Sequence, residues 1–204
     1  LGPWKKINKI ILNTKKQVNI AIIGKYVELK DAYKSLDEAL IHGGINNNVK
    51  VNLIRVESDK LKPNQINKFL KNVSGILIPG GFGKRGTEGK ISAISYARKN
   101  KVPFLGICFG MQLAVIESIR NIKGYEKASS TEFGKSKLPV ISLMSEWIKN
   151  SKVHLRDIDN FGGSMRLGSY ESVLLKNSKI FKIYKKQKIT ERHRHRYEVN
   201  INYK

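Results

Sequence analysis

The stretch VPFLGICFGMQ, residues 102–112, decides the fold. It begins with an apolar run typical of a buried strand and ends in the first turn of a predicted helix that closes at Gly124. Between them, Gly106-Ile107-Cys108-Phe109-Gly110 has the G-x-C-x-G layout of a nucleophile elbow. Glycine is needed on both sides because neighbouring side chains would collide on so sharp a bend. We therefore predict that the sulfur of Cys108 is exposed at the carboxyl end of a sheet.

The segments before this stretch alternate between strand-like and helical patterns. Apolar runs at 18–26 and 49–58 predict strands, and GILIPGGFG at 75–83 predicts a strand that runs into a glycine-rich loop. Helical spacing predicts helices that end at Gly43-Gly44, that run from Pro63 to Leu70, and that cover 88–100. This alternation indicates an α/β fold with a mostly parallel central sheet and helices on both faces.

The two ends of the chain carry weaker patterns. Residues 1–17 are basic and lack a clean period, so we predict a linker or arm. LPVISLM at 138–144 predicts one more strand, the polar residues 149–163 predict a loop, and SKIFKIY at 178–184 predicts a short helix.

Composition excludes several classes of protein. The 204 residues contain one cysteine, which excludes an internal disulfide. No apolar run approaches the roughly 20 residues of a membrane span, and no signal peptide is apparent. A net charge of +23 could reflect a nucleic-acid surface or a compositional bias. Because 30 of the 39 basic residues are Lys and they are spread evenly, we favour the bias and expect neither a nucleic-acid nor a membrane partner.

Two glycine-containing segments indicate chemistry. The helix that starts after Cys108 places partial positive charge near the sulfur, which favours the reactive thiolate. The alternative is an inert buried cysteine at the end of a strand. Free N–H groups in the loop at 79–83 could stabilise an oxyanion, although such a loop could also be a tight turn or a phosphate cradle.

GILIPGGFGKRG followed by VPFLGICFGMQ resembles the class I glutamine amidotransferases, which have a flavodoxin-like three-layer fold. Four further segments, in order, narrow the resemblance to the glutaminase domains of CTP synthases. They are IGKYVELKDAYKSLDEALIHGG, ASSTEF, GGSMRLG and ERHRHRYEVN. The resemblance covers most of the chain from Val18 to Asn200. It implies that residues 18–204 form the amidotransferase domain and that residues 1–17 are an arm leading from a synthetase domain.

The resemblance also implies roles for individual residues. Cys108 is the expected nucleophile, which attacks the side-chain amide of glutamine to give a thioester and ammonia. Gly81 and the backbone of Phe109 are the expected oxyanion hole. Glu132 is expected to meet the substrate's α-amino group and Arg196 to bind its carboxylate. The residues expected to line the oxyanion hole and the glutamine pocket are Gly81, Phe109, Gly110, Met111, Gln112, Glu132 and Arg196.

The partners implied by the resemblance are L-glutamine and a synthetase domain of the same polypeptide. That domain would use ATP and magnesium to aminate UTP to CTP in a cytoplasmic homotetramer. This chain contains no P-loop, so we expect no cofactor, nucleotide or magnesium within it. His193 and His195 would share one face of a strand, but no third ligand is apparent and we expect no metal.

The sequence departs from the family's pattern in its catalytic base. The family's triad takes a histidine and a glutamate from a His-Pro-Glu segment, and none of the four histidines here precedes Pro-Glu. We therefore expect the domain to be incomplete at its C-terminus, and we expect these 204 residues to hydrolyse glutamine very poorly. The alternatives are an inactive remnant, another class I amidotransferase, or a silent basic binding module. Phe109 also stands where Leu is commoner in the family.

Overall fold

A computed structural model describes residues 1–143, 146–149, 152–155 and 165–203. Its helices and strands, in chain order, are α1 (Gly2–Asn13), β1 (Gln17–Gly24), α2 (Lys34–Asn46), β2 (Lys50–Glu57), α3 (Ile66–Leu70), β3 (Gly75–Ile78), α4 (Thr87–Lys99), β4 (Phe104–Gly106), α5 (Phe109–Asn121), β5 (Ala128–Ser130), β6 (Leu138–Leu143), β7 (Glu146–Lys149), β8 (Lys152–Leu155), β9 (Arg166–Val173), α6 (Lys179–Tyr184), β10 (Lys188–His195) and β11 (Tyr197–Val199). The chain divides into two compact units, Leu1–Val140 and Ile141–Lys204.

The first unit is built on a four-stranded parallel sheet with the order β2-β1-β3-β4. Strand β1 lies in the middle, and its residues Ala21, Ile22 and Ile23 are fully buried. Strand β3 is buried along its whole length, as expected of an apolar strand covered on both faces. The predicted α/β architecture with a parallel central sheet is therefore confirmed.

The strand before the elbow lies at the edge of this sheet. Strand β4 pairs with β3 alone among the described strands, and Leu105 in it is 53% exposed. The helices on either side of it in the chain are better covered, since Ile94 of α4 and Leu113 and Ile116 of α5 are buried. The core thus fixes α5, and with it the residue just before α5.

The second unit contains antiparallel strand pairs. Strand β9 pairs with β10 over eight residues each, and β11 pairs with the end of β6. Strands β7 and β8 form a further antiparallel pair. The strand predicted at 138–144 and the short helix predicted at 178–184 are confirmed as β6 and α6.

Two parts of the sequence contain regular structure that the pattern did not predict. The loop predicted at 149–163 was wrong for Lys152–Leu155, which form β8, and residues 156–163 lie outside the described residues. The first three residues of GGSMRLG, 162–164, also lie outside them.

In the predicted arm, Gly2–Asn13 form a helix with proline in its first turn and no buried residue. The apolar residues of this helix are not buried in a core, so the sequence showed no apolar stripe from which the helix could have been predicted.

The prediction that Gly43-Gly44 end the second helix was wrong. Helix α2 continues through both glycines to Asn46, and Asn48 then takes a positive φ of 52°. Gly44 is buried, and a Cβ added there would lie 2.7 Å from the carbonyl oxygen of Val49. Glycine is present because the following chain packs directly on the helix, and the asparagines end the helix instead.

Within the described residues, no helix combines the length and the apolar character that a membrane crossing requires.

Candidate active site

Cys108 lies on a strained turn between β4 and α5. Its φ of 51° and ψ of −103° place it in a region that residues with a side chain rarely adopt. A Cβ added to Gly106 would lie 2.5 Å from the backbone carbon of Gly110, and one added to Gly110 would lie 2.2 Å from the oxygen of Ile78. Both glycines are therefore required by close backbone contacts, and the side chain of Cys108 is exposed.

The glycine-rich loop after β3 lies beside this turn. The N–H of Ile107 donates to the carbonyl oxygen of Ile78 at 2.9 Å, which ties the elbow to the end of β3. A Cβ added to Gly80 would lie 3.7 Å from the Cβ of Cys108, and one added to Gly81 would lie 3.9 Å from the Phe109 ring. The two motifs are thus brought together because β3 and β4 are parallel neighbours whose carboxyl ends meet at one edge.

Phe109 supplies a buried anchor for the start of α5. Its ring is 1% exposed and meets Phe133 edge to face at 6.0 Å between centroids. The Nζ of Lys90 lies 5.1 Å from the centroid of the same ring. With the ring held in this way, the backbone of Phe109 is fixed directly after Cys108.

The surroundings of Cys108 raise the pKa of its thiol and so do not favour the thiolate. Desolvation by surrounding protein atoms raises the pKa of the thiol most, the hydrogen bond from the backbone of Phe109 lowers it, and the negative charge of Glu132 raises it again. The net pKa is raised. The N–H of Phe109 at the start of α5 lowers the pKa as expected of a helix start, but desolvation outweighs this single backbone donor.

Glu132 lies at the loop rather than on an exposed surface turn. Its Oε1 accepts the backbone N–H of Gly83 at 2.7 Å, and its own backbone N–H donates to the hydroxyl of Ser130 at 3.1 Å. The remaining predicted pocket residues follow Cys108 in α5. Gly110 is buried, Gln112 is 5% exposed, and Met111 is 43% exposed. The structure therefore brings Gly81, Cys108, Phe109 and Glu132 to one edge of the sheet.

Arg196 belongs to the second unit. It lies between β10 and β11 and its side chain is exposed, and its contact with glutamine stays a prediction. The two histidines before it share one face of β10 as predicted, with His193 Nδ1 2.9 Å from His195 Nε2. Burial lowers the pKa of His195 most, and Glu198 opposes that change. Among the residues that the structure describes, no cluster of three metal-ligating side chains occurs.

Two lysines near the site were missed by sequence reasoning. The Nζ of Lys25 donates to the carbonyl oxygen of Phe82 at 2.6 Å. Its position directly after β1, a neighbour of β3, is the signal that could have found it, because parallel strands end at the same edge. Lys90 is 1% exposed, and nothing in its local sequence separates it from the many exposed lysines.

Comparison with known proteins agrees with this geometry. The family model for glutamine amidotransferase class-I matches residues 28–203. The chain is 67% identical to the CTP synthase of Pelagibacter ubique strain HTCC1062 over 204 residues, which is all of this chain and 38% of that protein. It is 54% identical to the CTP synthase of Brucella anthropi over 202 residues, which is 98% of this chain and 37% of that protein.

A solved structure agrees with the family match. The glutaminase domain of the Trypanosoma brucei CTPS with bound acivicin superposes with a TM-score of 0.79 and 38% identity, and the match covers 91% of this chain and 69% of that one. An elbow cysteine beside a glycine-rich loop on a parallel sheet, together with these matches, defines the class. The chain belongs to the class I glutamine amidotransferase family, with its three-layer α/β fold. Within that family the relatives named above are CTP synthases, and the chain spans about 38% of the first one's length.

Proposed function

We propose that this chain is the glutamine-hydrolysing part of a CTP synthase. The observation that carries the proposal is the placement of the exposed, strained Cys108 beside the loop that contains Gly80 and Gly81. A nucleophile and a set of backbone donors within one small space are what acyl transfer from an amide requires. The family membership and the identities to CTP synthases support glutamine as the amide.

The reaction would proceed through a thioester. The sulfur of Cys108 forms a bond to the side-chain carbonyl carbon of glutamine, and the carbonyl electron pair moves onto oxygen. The N–H groups of Gly81 and Phe109 would stabilise that oxyanion. When the carbonyl re-forms, the C–N bond breaks and ammonia leaves with the proton that the thiol gave up. Water then cleaves the thioester to glutamate and restores the thiol.

A base must hold the thiol proton between these steps, since the pKa of Cys108 is raised. The family resemblance assigns that role to a histidine of a His-Pro-Glu segment, and residues 1–204 contain no such segment. We propose that Glu132 and Arg196 bind the α-amino and α-carboxylate groups of glutamine, and that Gly110, Met111 and Gln112 line its pocket.

For the whole protein, we propose that the ammonia is used by a synthetase domain of the same polypeptide. That domain would aminate UTP to CTP with ATP and magnesium, and residues 1–17 would join it to the domain at 18–204. We propose a cytoplasmic homotetramer, with no cofactor bound in this chain and no nucleic-acid or membrane partner. The identities to longer CTP synthases over the whole chain support the proposal of a synthetase domain in the same polypeptide.

The test uses the single cysteine as a reporter. 6-Diazo-5-oxo-L-norleucine is a diazoketone analogue of glutamine that alkylates a thiol with loss of N2. Intact-mass measurement should show one adduct, saturable in the analogue and slowed by L-glutamine, and none in Cys108→Ala. Iodoacetamide, which carries no amino-acid group, should react without saturation. Labelling by the analogue that is neither saturable nor slowed by glutamine would overturn the proposal.

A further inference from the structure

One peptide group of the glycine-rich loop is held at both of its polar ends by opposite charges. The carbonyl oxygen of Phe82 accepts from the ammonium of Lys25 at 2.6 Å. The next N–H, that of Gly83, donates to the carboxylate of Glu132 at 2.7 Å. These are the two ends of the single peptide bond between Phe82 and Gly83, so its plane is fixed between a cation and an anion. Hydrogen bonds to charged groups are about twice as strong as neutral ones.

The two charged residues follow strands of different sheets. Lys25 follows β1 of the parallel sheet, and Glu132 follows β5, which pairs in a separate sheet, and lies in a short helical turn that Ser130 caps. The hydroxyl of Ser130, which is 2% exposed, accepts the backbone N–H of Glu132 and so fixes the residue itself. Lys25 and Glu132 therefore form a clamp on the peptide between Phe82 and Gly83. This clamp ties the loop to two rigid elements, so its position does not depend on its own flexible backbone alone.

The loop needs such support because the side chains of residues 80–83 give it little. Phe82 is 79% exposed, so its ring adds no buried anchor. Gly83 has a φ of 78°, and Gly80 and Gly81 bear no side chains that could pack. Glycine has the greatest backbone freedom of any residue, so an unclamped run of this kind would sample many orientations. Donors for an oxyanion act well only when they are already in place before the charge develops.

We propose that Lys25, together with Glu132, is a positioning residue for the oxyanion hole: it holds the peptide between Phe82 and Gly83 and so fixes the N–H groups of Gly80 and Gly81 beside Cys108. This inference rests on the proposed function. The ammonium of Lys25 bonds to the carbonyl oxygen of Phe82, so it would act through the loop. Glu132 would have two functions, since one carboxylate can accept both a backbone N–H and a substrate ammonium.

The experiment separates recognition from reaction in the alkylation of Cys108 by 6-diazo-5-oxo-L-norleucine. The probe carries a ketone where glutamine carries its amide carbonyl, so its maximal rate of alkylation depends on the oxyanion hole. Its half-saturating concentration depends on recognition of the amino-acid group. Iodoacetamide in parallel reports the reactivity of the thiol alone.

Lys25→Met should lower the maximal rate by about tenfold or more, with a change in half-saturating concentration of less than about threefold and an unchanged iodoacetamide rate. Lys84→Met removes the same charge from an exposed residue of the same loop and should match the wild type. Lys25→Arg keeps a donor for the Phe82 carbonyl and should recover most of the rate. Glu132→Gln keeps an acceptor for Gly83 but loses the charge, so it should mainly raise the half-saturating concentration.

The inference is overturned if Lys25→Met and Lys84→Met give the same maximal rate, or if Lys25→Met lowers the iodoacetamide rate by the same factor. The first result would mean that the alkylation rate depends on positive charge near the loop and not on the bond from Lys25 to Phe82. The second would mean that Lys25 changes the reactivity of the thiol itself. Failure of the proposed function is a different result, because the wild-type protein would then show no saturable, glutamine-protected labelling at all.

Discussion

Two adjacent glycines in α2 have opposite surroundings. A Cβ added to Gly43 would meet no atom within 4 Å, whereas one added to Gly44 would lie 2.6 Å from Val51 Cγ2 and 2.7 Å from the oxygen of Val49. The second contact includes backbone, which cannot rotate away. Position 43 is thus free to take a side chain, and position 44 is not.

Gly43→Ala should therefore stabilise the protein by about 0.5–1 kcal/mol, because alanine loses less backbone entropy in a helix. Gly44→Ala should destabilise it by about 1–3 kcal/mol through overpacking. Urea denaturation followed by circular dichroism measures both, and each variant serves as the control for the other. Equal effects of the two substitutions would contradict the packing at Gly44.

Lys90 is a charged residue placed in the core. Burial, and next the repulsion from Lys25, lower its pKa to about 8. The folded state therefore holds this proton less tightly than the unfolded chain, whose lysine pKa is about 10.4. The penalty for burying the charge is present in full below about pH 8 and disappears as the pH rises towards 10.4.

Lys90→Met should accordingly be more stable than the wild type at pH 7 by about 2–3 kcal/mol. The difference should shrink between pH 8 and pH 10, since the wild type gains stability there as its lysine loses the proton. Urea midpoints at pH 7, 8.5 and 10 measure the trend. A difference that is constant over this range would show that burial of the charge is not its cause.

At the scale of elements, one buried carboxylate links α4 to α5. Glu117 of α5 is fully buried, and both its oxygens accept hydrogen bonds from the guanidinium of Arg98 in α4 at 2.8–3.2 Å. Asn121 donates to the same carboxylate at 3.0 Å. Because α5 begins at the elbow, this pair also helps to hold the residues that follow Cys108.

Arg98→Met should destabilise the protein by about 3 kcal/mol, because it leaves a buried carboxylate without its cation. The double variant Arg98→Met with Glu117→Met should recover much of the loss, since it removes both charges. Lys34→Met is the matched control, because Lys34 pairs with Glu38 on an exposed helix face and its loss should cost little. If Arg98→Met and Lys34→Met proved equally mild in thermal unfolding, the buried pair would not hold the helices.

At the scale of the whole molecule, the net charge of +23 opposes compactness. Lysines are spread over the entire sequence, so the repulsion is distributed rather than confined to one face. Salt shortens the range of such repulsion from about 30 Å at 10 mM to about 8 Å at 150 mM.

The melting temperature should therefore rise by at least about 2 °C between 10 mM and 150 mM NaCl at pH 7.5. Potassium chloride at the same ionic strengths is the control for ion-specific binding and should give the same rise. Differential scanning calorimetry measures both series. A melting temperature that falls with salt would mean that attractive ion pairs, such as that between Arg98 and Glu117, dominate over net repulsion.

The strand–turn–helix unit around Cys108 could be predicted because its requirements are local. Apolar runs of strand length, helical spacing and the flanking Gly106 and Gly110 are all visible within a few residues of sequence. Helix α1 was missed for the opposite reason, since it has no buried face that could mark it. The end of α2 was predicted wrongly because the sequence does not distinguish a glycine required for close packing, such as Gly44, from a glycine that ends a helix.

The sequence by itself determined the parallel sheet and the strand–turn–helix elbow at Cys108, because each follows from patterns of residues that are near one another in the chain. Only the tertiary structure decided the sign of the pKa shift at Cys108, the burial of Lys90 and the clamp of Lys25 and Glu132 on one peptide. These depend on groups tens of residues apart. Desolvation and hydrogen bonding act through distances in space, which folding alone establishes.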